Sequence, residues 1–177
     1  MTTPMAARKP DLQAIKALRE KTNASLNDVR QALEAAGGSE QKALEWLRQR
    51  GAAIAETRQD RTTGQGRVEA YIHHDGRLGA LVDIGCETDF VARTPEFIQF
   101  CRDVAMQVAA TSPRYLRAED APAGTSPEDV QAWCLLAQPF VKDQGTTIQA
   151  LLQALITKTG ERVAIKRFAK FGVGEAV

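Results

Sequence analysis

From residue 68 onward the apolar residues recur at every second position, and the dipeptide Asp75-Gly76 interrupts the run. Val68, Ala70 and Ile72 alternate with Glu69 and Tyr71; beyond the interruption, Leu78, Ala80, Val82 and Ile84 keep the same period. A period of two belongs to a strand, whose successive side chains point to opposite faces. Asp-Gly between two such runs marks a tight turn, because glycine accepts the positive φ that the turn requires. The stretch therefore reads as a β-hairpin. A third alternating run, ERVAIKRFAKFG, sets Val163, Ile165 and Arg167 against Ala164, Lys166 and Phe168. Helical patterns separate it from the hairpin. The expected fold class is α+β, with a three-stranded antiparallel sheet covered on one side by helices.

The residues before the hairpin have a different period. In DLQAIKALREKT, Leu12, Ile15 and Leu18 share a helical face. Ser25 and Asp28 have capping-box spacing at the start of a second helix, in which Leu26, Val29, Leu33 and Ala36 align, and Gly37-Gly38 stops it. A third begins at Ser39, buries Ala43, Leu44 and Leu47 with Trp46 nearby, and is expected to end at Gly51. The expected division is a disordered tail over 1–9, a three-helix module over 10–53, a linker over 54–66 and an α+β core over 67–177. A module this small sits near the lower limit of independent stability and gains from docking on something.

Within the core, Thr94 and Pro95 are N-cap and first-turn residues of a helix with Phe97, Cys101, Val104, Ala105 and Val108 as its stripe. Another helix starts at Ser126-Pro127 and is expected to reach about Ala137. Thr146 and Gln149 have capping-box spacing before Ile148, Leu151, Leu152, Leu155 and Ile156, and Gly160 ends that helix.

Several classes of chemistry find little support. Three cysteines, Cys86, Cys101 and Cys134, are odd in number and far apart, against a disulfide framework or a Cys-x-x-Cys site. They read as reduced thiols, and Cys101 as buried filler. His73 and His74 are the only histidines, and neighbours on a strand point apart, so they do not chelate one metal ion. Glu87 and Asp89 are candidates for an acid/base pair, but no nucleophile, phosphate loop or metal cluster accompanies them. The net charge of +1 gives no reason to expect nucleic acid, and no apolar run is long enough to span a bilayer. Lys166, Arg167 and Lys170 read as a solvated sheet face. The same face is expected to carry Phe168 and Phe171, which suggests a protein interface and self-association.

One stretch stands apart: CETDFVARTPEFIQF, Cys86 to Phe100. It places the acids Glu87 and Asp89 around Thr88 and directly before Phe90. Two readings apply. Either Phe90 is an exposed contact for a partner, or it packs beneath the next helix as the hydrophobic staple of the Thr94 cap. In the second reading the protein is a non-catalytic adaptor with Phe90 in its core.

LREKTNASLNDVRQAL (Leu18 to Leu33), CETDFVA (Cys86 to Ala92), QPFVKD (Gln138 to Asp143) and ERVAIKRFAKF (Glu161 to Phe171) together resemble the elongation factor Ts family, in family order over nearly the whole chain. The resemblance implies a ubiquitin-associated-like three-helix module, a linker and a core with a three-stranded antiparallel sheet. It further implies the short form of the family, with one core, forming a homodimer through its sheet, where Lys166, Phe168 and Phe171 are the candidates. The implied activity is guanine-nucleotide exchange on elongation factor Tu, without covalent chemistry, cofactor, metal, membrane or direct nucleic-acid contact, in the cytoplasm. Thr88, Asp89, Phe90, Val91 and Ala92 would form the tip that enters the partner's G domain near its Mg²⁺ and phosphate site. Arg19, Leu26 and Asn27 would be the module's contacts. The sequence departs from the family at three places. Thr22-Asn23-Ala24-Ser25-Leu26-Asn27-Asp28 stands where Thr-Gly-Ala-Gly-Met-Met-Asp is usual, Gly85 replaces an Asn, and the 111–137 segment is shorter.

Overall fold

The computed structural model describes residues 10–22, 24–58 and 60–175. The expected tail over 1–9, and Asn23 in the departing stretch, lie outside the described residues. Helices α1 (Leu12–Thr22), α2 (Leu26–Ala35) and α3 (Glu40–Glu56) come first, and their inward residues, among them Leu18, Val29, Leu33 and Ala43, form an apolar cluster of their own. Ser25 caps α2 as its spacing predicts: its hydroxyl accepts the Asp28 N–H at 3.1 Å and donates to the Asp28 carboxylate at 2.6 Å. Leu12 and Leu26, expected on the inner stripes, are exposed instead. Each is the first residue of its helix, one turn short of the first buried contact at Ile15 or Val29.

Gly51 does not end α3, which continues to Glu56. The glycine is a point of close approach: a Cβ there would lie 3.1 Å from the Thr157 hydroxyl and 3.7 Å from Gln153 on α7 (Ile148–Thr159). Glycine inside a helix costs about 0.5–1 kcal/mol relative to alanine. Here that cost is offset by letting α3 lie directly on α7. The stretch expected as linker, 54–66, gives its first residues to α3 and its last two to β1 (Gln65–Ile72).

β1, β2 (Leu78–Cys86) and a C-terminal strand, β5 (Val163–Gly172), form an antiparallel sheet in the order β1-β2-β5. The hairpin turn closes with the His73 N–H on the Leu78 carbonyl at 2.8 Å, and Gly76 takes φ +68°. Because β1 has ended at Ile72, the two imidazoles lie 4.3 Å apart instead of on opposite faces. Register decides which side each strand buries. Glu69 pairs with Val82 and Tyr71 with Ala80, so they share the covered side, and Val68 and Ile72 turn to the open side. An edge strand tolerates this arrangement, because at the rim Glu69 still reaches Arg67 and Arg102.

On β5 the pairing shifts: Asp83 meets Arg167 and Ile84 meets Ile165, leaving Lys166 as an extra residue. A one-residue bulge resets the alternation. It places Ile165 and Phe168 on the same covered side, where Phe168 packs against the core. The expectation that Phe168 shares an exposed face with Phe171 is therefore corrected. Phe171 is 60% exposed on the open side, with Val68, Ile72 and Leu81 also exposed.

The covering layer is α5 (Pro95–Thr111) and α7. The α5 stripe Phe97, Cys101, Val104, Ala105 and Val108 is fully buried, and Thr94 caps the helix by accepting the Phe97 N–H at 3.3 Å. The α7 cap is Thr147, which accepts the Ala150 N–H; the expected Thr146 turns back to the Asp143 carboxylate. A small pair absent from the sequence reading, β3 (Pro139–Phe140) with β4 (Asp143–Thr147), precedes α7. Helix α6 (Pro127–Trp133) stops short of Ala137; the chain extends at Cys134 and then makes a short 3-10 turn. Buried amides organise this region. Gln107 donates to the Gln138 side chain and the Pro139 carbonyl and accepts the Val141 N–H, while Gln138 donates to the Ala132 carbonyl. Every polar atom of the pair thus has a partner, which buried amides require. Among the described residues no helix is long and apolar enough to cross a membrane.

Candidate functional site

β2 ends at Cys86, paired with Val163. Three residues later the one-turn helix α4 (Asp89–Ala92) begins, and Thr94 starts α5. Thr88 is the N-cap of α4, its hydroxyl accepting the Val91 N–H. The short turn divides the motif by direction. Val91 is buried and Ala92 is half-buried against the core. Phe90 is 81% exposed. The staple reading, with Phe90 in the core, is overturned: the inward anchor is the neighbouring Val91. Asp89 is half-buried and meets Arg93 at 3.0 Å, one turn along. Its carboxylate at the start of α4 suits the positive end of the helix dipole. The result is a large apolar ring in water beside an acid, on a turn fixed at both ends.

The base of the tip is held by contacts that the sequence reading did not assign. Thr88 gives both its N–H and its hydroxyl to the Glu161 carboxylate, at 3.0 and 2.5 Å. The Glu87 carboxylate accepts the Arg162 N–H at 2.5 Å and meets Arg61 at 3.4 Å. Arg162 in turn donates to the Arg61 carbonyl. Glu87 is thus a clasp and not half of an acid/base pair with Asp89. The Cys86 thiol donates to the Thr88 carbonyl at 3.1 Å. Gly85 also acquires a role: a Cβ there would stand 2.5 Å from Cε of Lys166, which folds over the glycine to reach the Thr63 carbonyl at 2.9 Å. The remaining strand bases are likewise engaged, Arg167 with Asp83 and Lys170 with Glu175. The prior signals for Glu161 were its place directly after the helix-ending Gly160 and at the head of the family-like run ERVAIKRFAKF.

The Arg162 N–H holds the Glu87 carboxyl below the ordinary carboxylate range, with Arg61 adding to the effect against the opposing cost of burial. A depressed acid contributes stability above its unfolded value, about 4.3, and loses it as pH falls through the folded value. A carbon-detected titration should place the Glu87 midpoint below about 4.3. In Arg61→Gln it should move up, toward the ordinary value, while the Arg162 hydrogen bond keeps it from reaching it. No upward movement would remove Arg61 from the cause. The three cysteines are free and buried, and burial pushes the Cys101 thiol up to about 12. Among the described residues no group of three or more His, Cys, Asp and Glu gathers as a metal site.

The module's sequence-predicted contacts lie on other elements. Arg19 is exposed on α1; Leu26, 58% exposed, and Asn27 open α2. The structure brings Thr88, Asp89, Phe90 and Val91 together on one turn, and places Arg19 on α1 and Leu26 and Asn27 at the start of α2.

The family model for Elongation factor TS matches residues 7–129. Elongation factor Ts of Carboxydothermus hydrogenoformans is 42% identical over 93% of this chain and 89% of its own length. That of Rubrobacter xylanophilus is 41% identical over 90% and 97%, and that of Thermotoga petrophila 39% over 93% and 96%. With N-terminal helices and a three-stranded antiparallel sheet beside these matches, the chain belongs to the elongation factor Ts family.

Proposed function

We propose that this chain promotes GDP release from elongation factor Tu, with the Asp89-Phe90 turn entering the G domain beside the Mg²⁺ and phosphate site. The observation that carries the reading is Phe90, 81% exposed on a turn whose neighbours are all fastened. A bound nucleotide is held chiefly by its phosphate cradle and Mg²⁺. Phe90 would wedge between partner side chains, and Asp89 would orient the turn and draw polar groups away from the ion. The three-helix module, residues 10–53, would grip the G domain elsewhere through Arg19, Leu26 and Asn27, and the core over 67–177 would carry the tip. No covalent step is involved, so the chain would act as an exchange factor and not an enzyme, in the cytoplasm.

Burial of a phenylalanine is worth roughly 1.5–3 kcal/mol, or about tenfold to 150-fold in an equilibrium constant. Phe90 alone therefore does not account for a large acceleration, and the module contacts must cooperate. Linkage sets a further condition. If the factor weakens GDP binding, GDP weakens factor binding equally, so nucleotide-free elongation factor Tu should bind most tightly. GTP then displaces the factor. The test is release of fluorescent GDP from elongation factor Tu at matched Mg²⁺, with and without the chain; no acceleration would overturn the reading.

The open sheet side supports a second component, a homodimer through the sheet. Phe171 is exposed there with Val68, Ile72 and Leu81, and an apolar group of this kind on a sheet marks an interface. Lys166 would sit at its border. Sedimentation equilibrium should show a concentration-dependent dimer that Phe171→Glu weakens; a monomer at every concentration would count against it.

A further inference from the structure

We propose that Glu161 is a positioning residue for nucleotide exchange: with Glu87 it forms a reciprocal clasp that fixes the direction of the Asp89-Phe90 turn. The inference rests on the exchange reading. Its geometry involves two consecutive residues on each side. Glu161 takes the backbone N–H and hydroxyl of Thr88, and Glu87 takes the backbone N–H of Arg162. The pairing lies immediately beyond Cys86 and Val163, the last paired residues of β2 and β5 at this end. Two carboxylates thus continue the join between the strands where backbone pairing has stopped. Hydrogen bonds to ionised acceptors are among the stronger ones, so this end is held more firmly than an ordinary strand end.

The clasp acts on the turn through Thr88. The hydroxyl that donates to Glu161 is the same group that accepts the Val91 N–H as the cap of α4. One proton cannot point two ways: donation to Glu161 fixes the hydroxyl rotor and leaves its lone pairs for Val91. The Thr88 carbonyl then accepts the Ala92 N–H, and Thr94 closes the far end on the Val91 carbonyl. Phe90 has little packing of its own, so its direction is inherited from these bonds. A wedge that must meet one site loses rate when it samples other directions, since orientation is part of the barrier.

The exchange assay separates positioning from affinity. Glu161→Ala should lower the maximum rate of GDP release by about tenfold while the half-saturating concentration changes by less than about threefold. Glu161→Gln, whose amide offers one acceptor oxygen to the two Thr88 donors, should recover only part of the rate. Amide hydrogen exchange supplies a readout independent of elongation factor Tu. In Glu161→Ala, exchange at Ala92 and Thr94, whose N–H groups do not touch Glu161, should quicken by about tenfold, with Val104 and Val108 of α5 unchanged. Unchanged exchange at Ala92 and Thr94 overturns the clasp, whatever the activity. An unchanged maximum rate beside an active wild type also overturns it. A wild type that releases no GDP overturns the exchange reading instead, and the hydrogen-exchange result still decides the clasp.

Discussion

Phe90→Ala is expected to lower the maximum acceleration of GDP release by between about tenfold and 150-fold, while stability changes by less than about 0.5 kcal/mol. The second half follows from exposure: a side chain 81% in water has little packing to lose, and surface substitutions away from special features stay within that range. The first half follows from what the ring would bury in the partner. An adaptor without exchange activity gives a different pattern, in which partner binding weakens and no release rate depends on Phe90. Asp89→Asn is a useful companion. It keeps the shape of the turn, removes the charge and releases Arg93, 3.0 Å away. If Asp89 orients the turn toward cationic or polar partner groups, the variant should lose rate while stability falls by no more than about 1 kcal/mol. Equal release by wild type and Phe90→Ala would remove the ring from the mechanism.

Much of this architecture was legible in the pattern of the chain, and the exceptions have physical causes. The hairpin, the caps at Ser25, Thr94 and Ser126 and the α5 stripe were readable because each depends on local chemistry: a turn dipeptide, a hydroxyl three residues before an N–H, or a 3.6-residue period. The facing of β1 was not readable. Its apolar set Val68, Ala70 and Ile72 suggested one buried side, but cross-strand register with Val82 and Ala80 assigned that side to Glu69 and Tyr71. The β5 bulge was equally hidden, because the extra residue Lys166 is visible only against its partner strand, and it moved Phe168 to the covered side. Gly51 resembled a helix terminator; only the proximity of Thr157 and Gln153 explains it. At the tip, the sequence offered Thr88, Asp89 and Phe90 together, but could not say which side chain faces water. The clasp was out of reach for a simpler reason: Thr88 and Glu161 are 73 residues apart.

Phe97→Ala, seven residues beyond the tip, is expected to destabilise the core by about 3–5 kcal/mol, the usual loss for a phenylalanine removed from a packed interior. Phe97 is fully buried with Cys101 and Val104 on α5. Such a loss is a large part of the roughly 5–15 kcal/mol that keeps a typical domain folded. Phe97→Leu should cost less, since it leaves a smaller cavity. The two tryptophans allow the effect to be located. Trp133 ends α6 under the Arg114 guanidinium, two residues before the core residue Leu135, and Trp46 lies on α3 against the module's separate cluster. In single-tryptophan variants, Phe97→Ala should shift the Trp133 unfolding midpoint fully. The Trp46 midpoint should follow to the extent that α3 depends on its seat against α7 at Gly51. Coincident transitions would mean that the module's own cluster is too small to stand once the core has gone. A Trp46 transition that stays in place would show the module folding alone, and α3 would then be a joint between two independent bodies. A Trp133 midpoint unmoved by Phe97→Ala would contradict the buried position itself, because no rearrangement of partners could replace the lost packing.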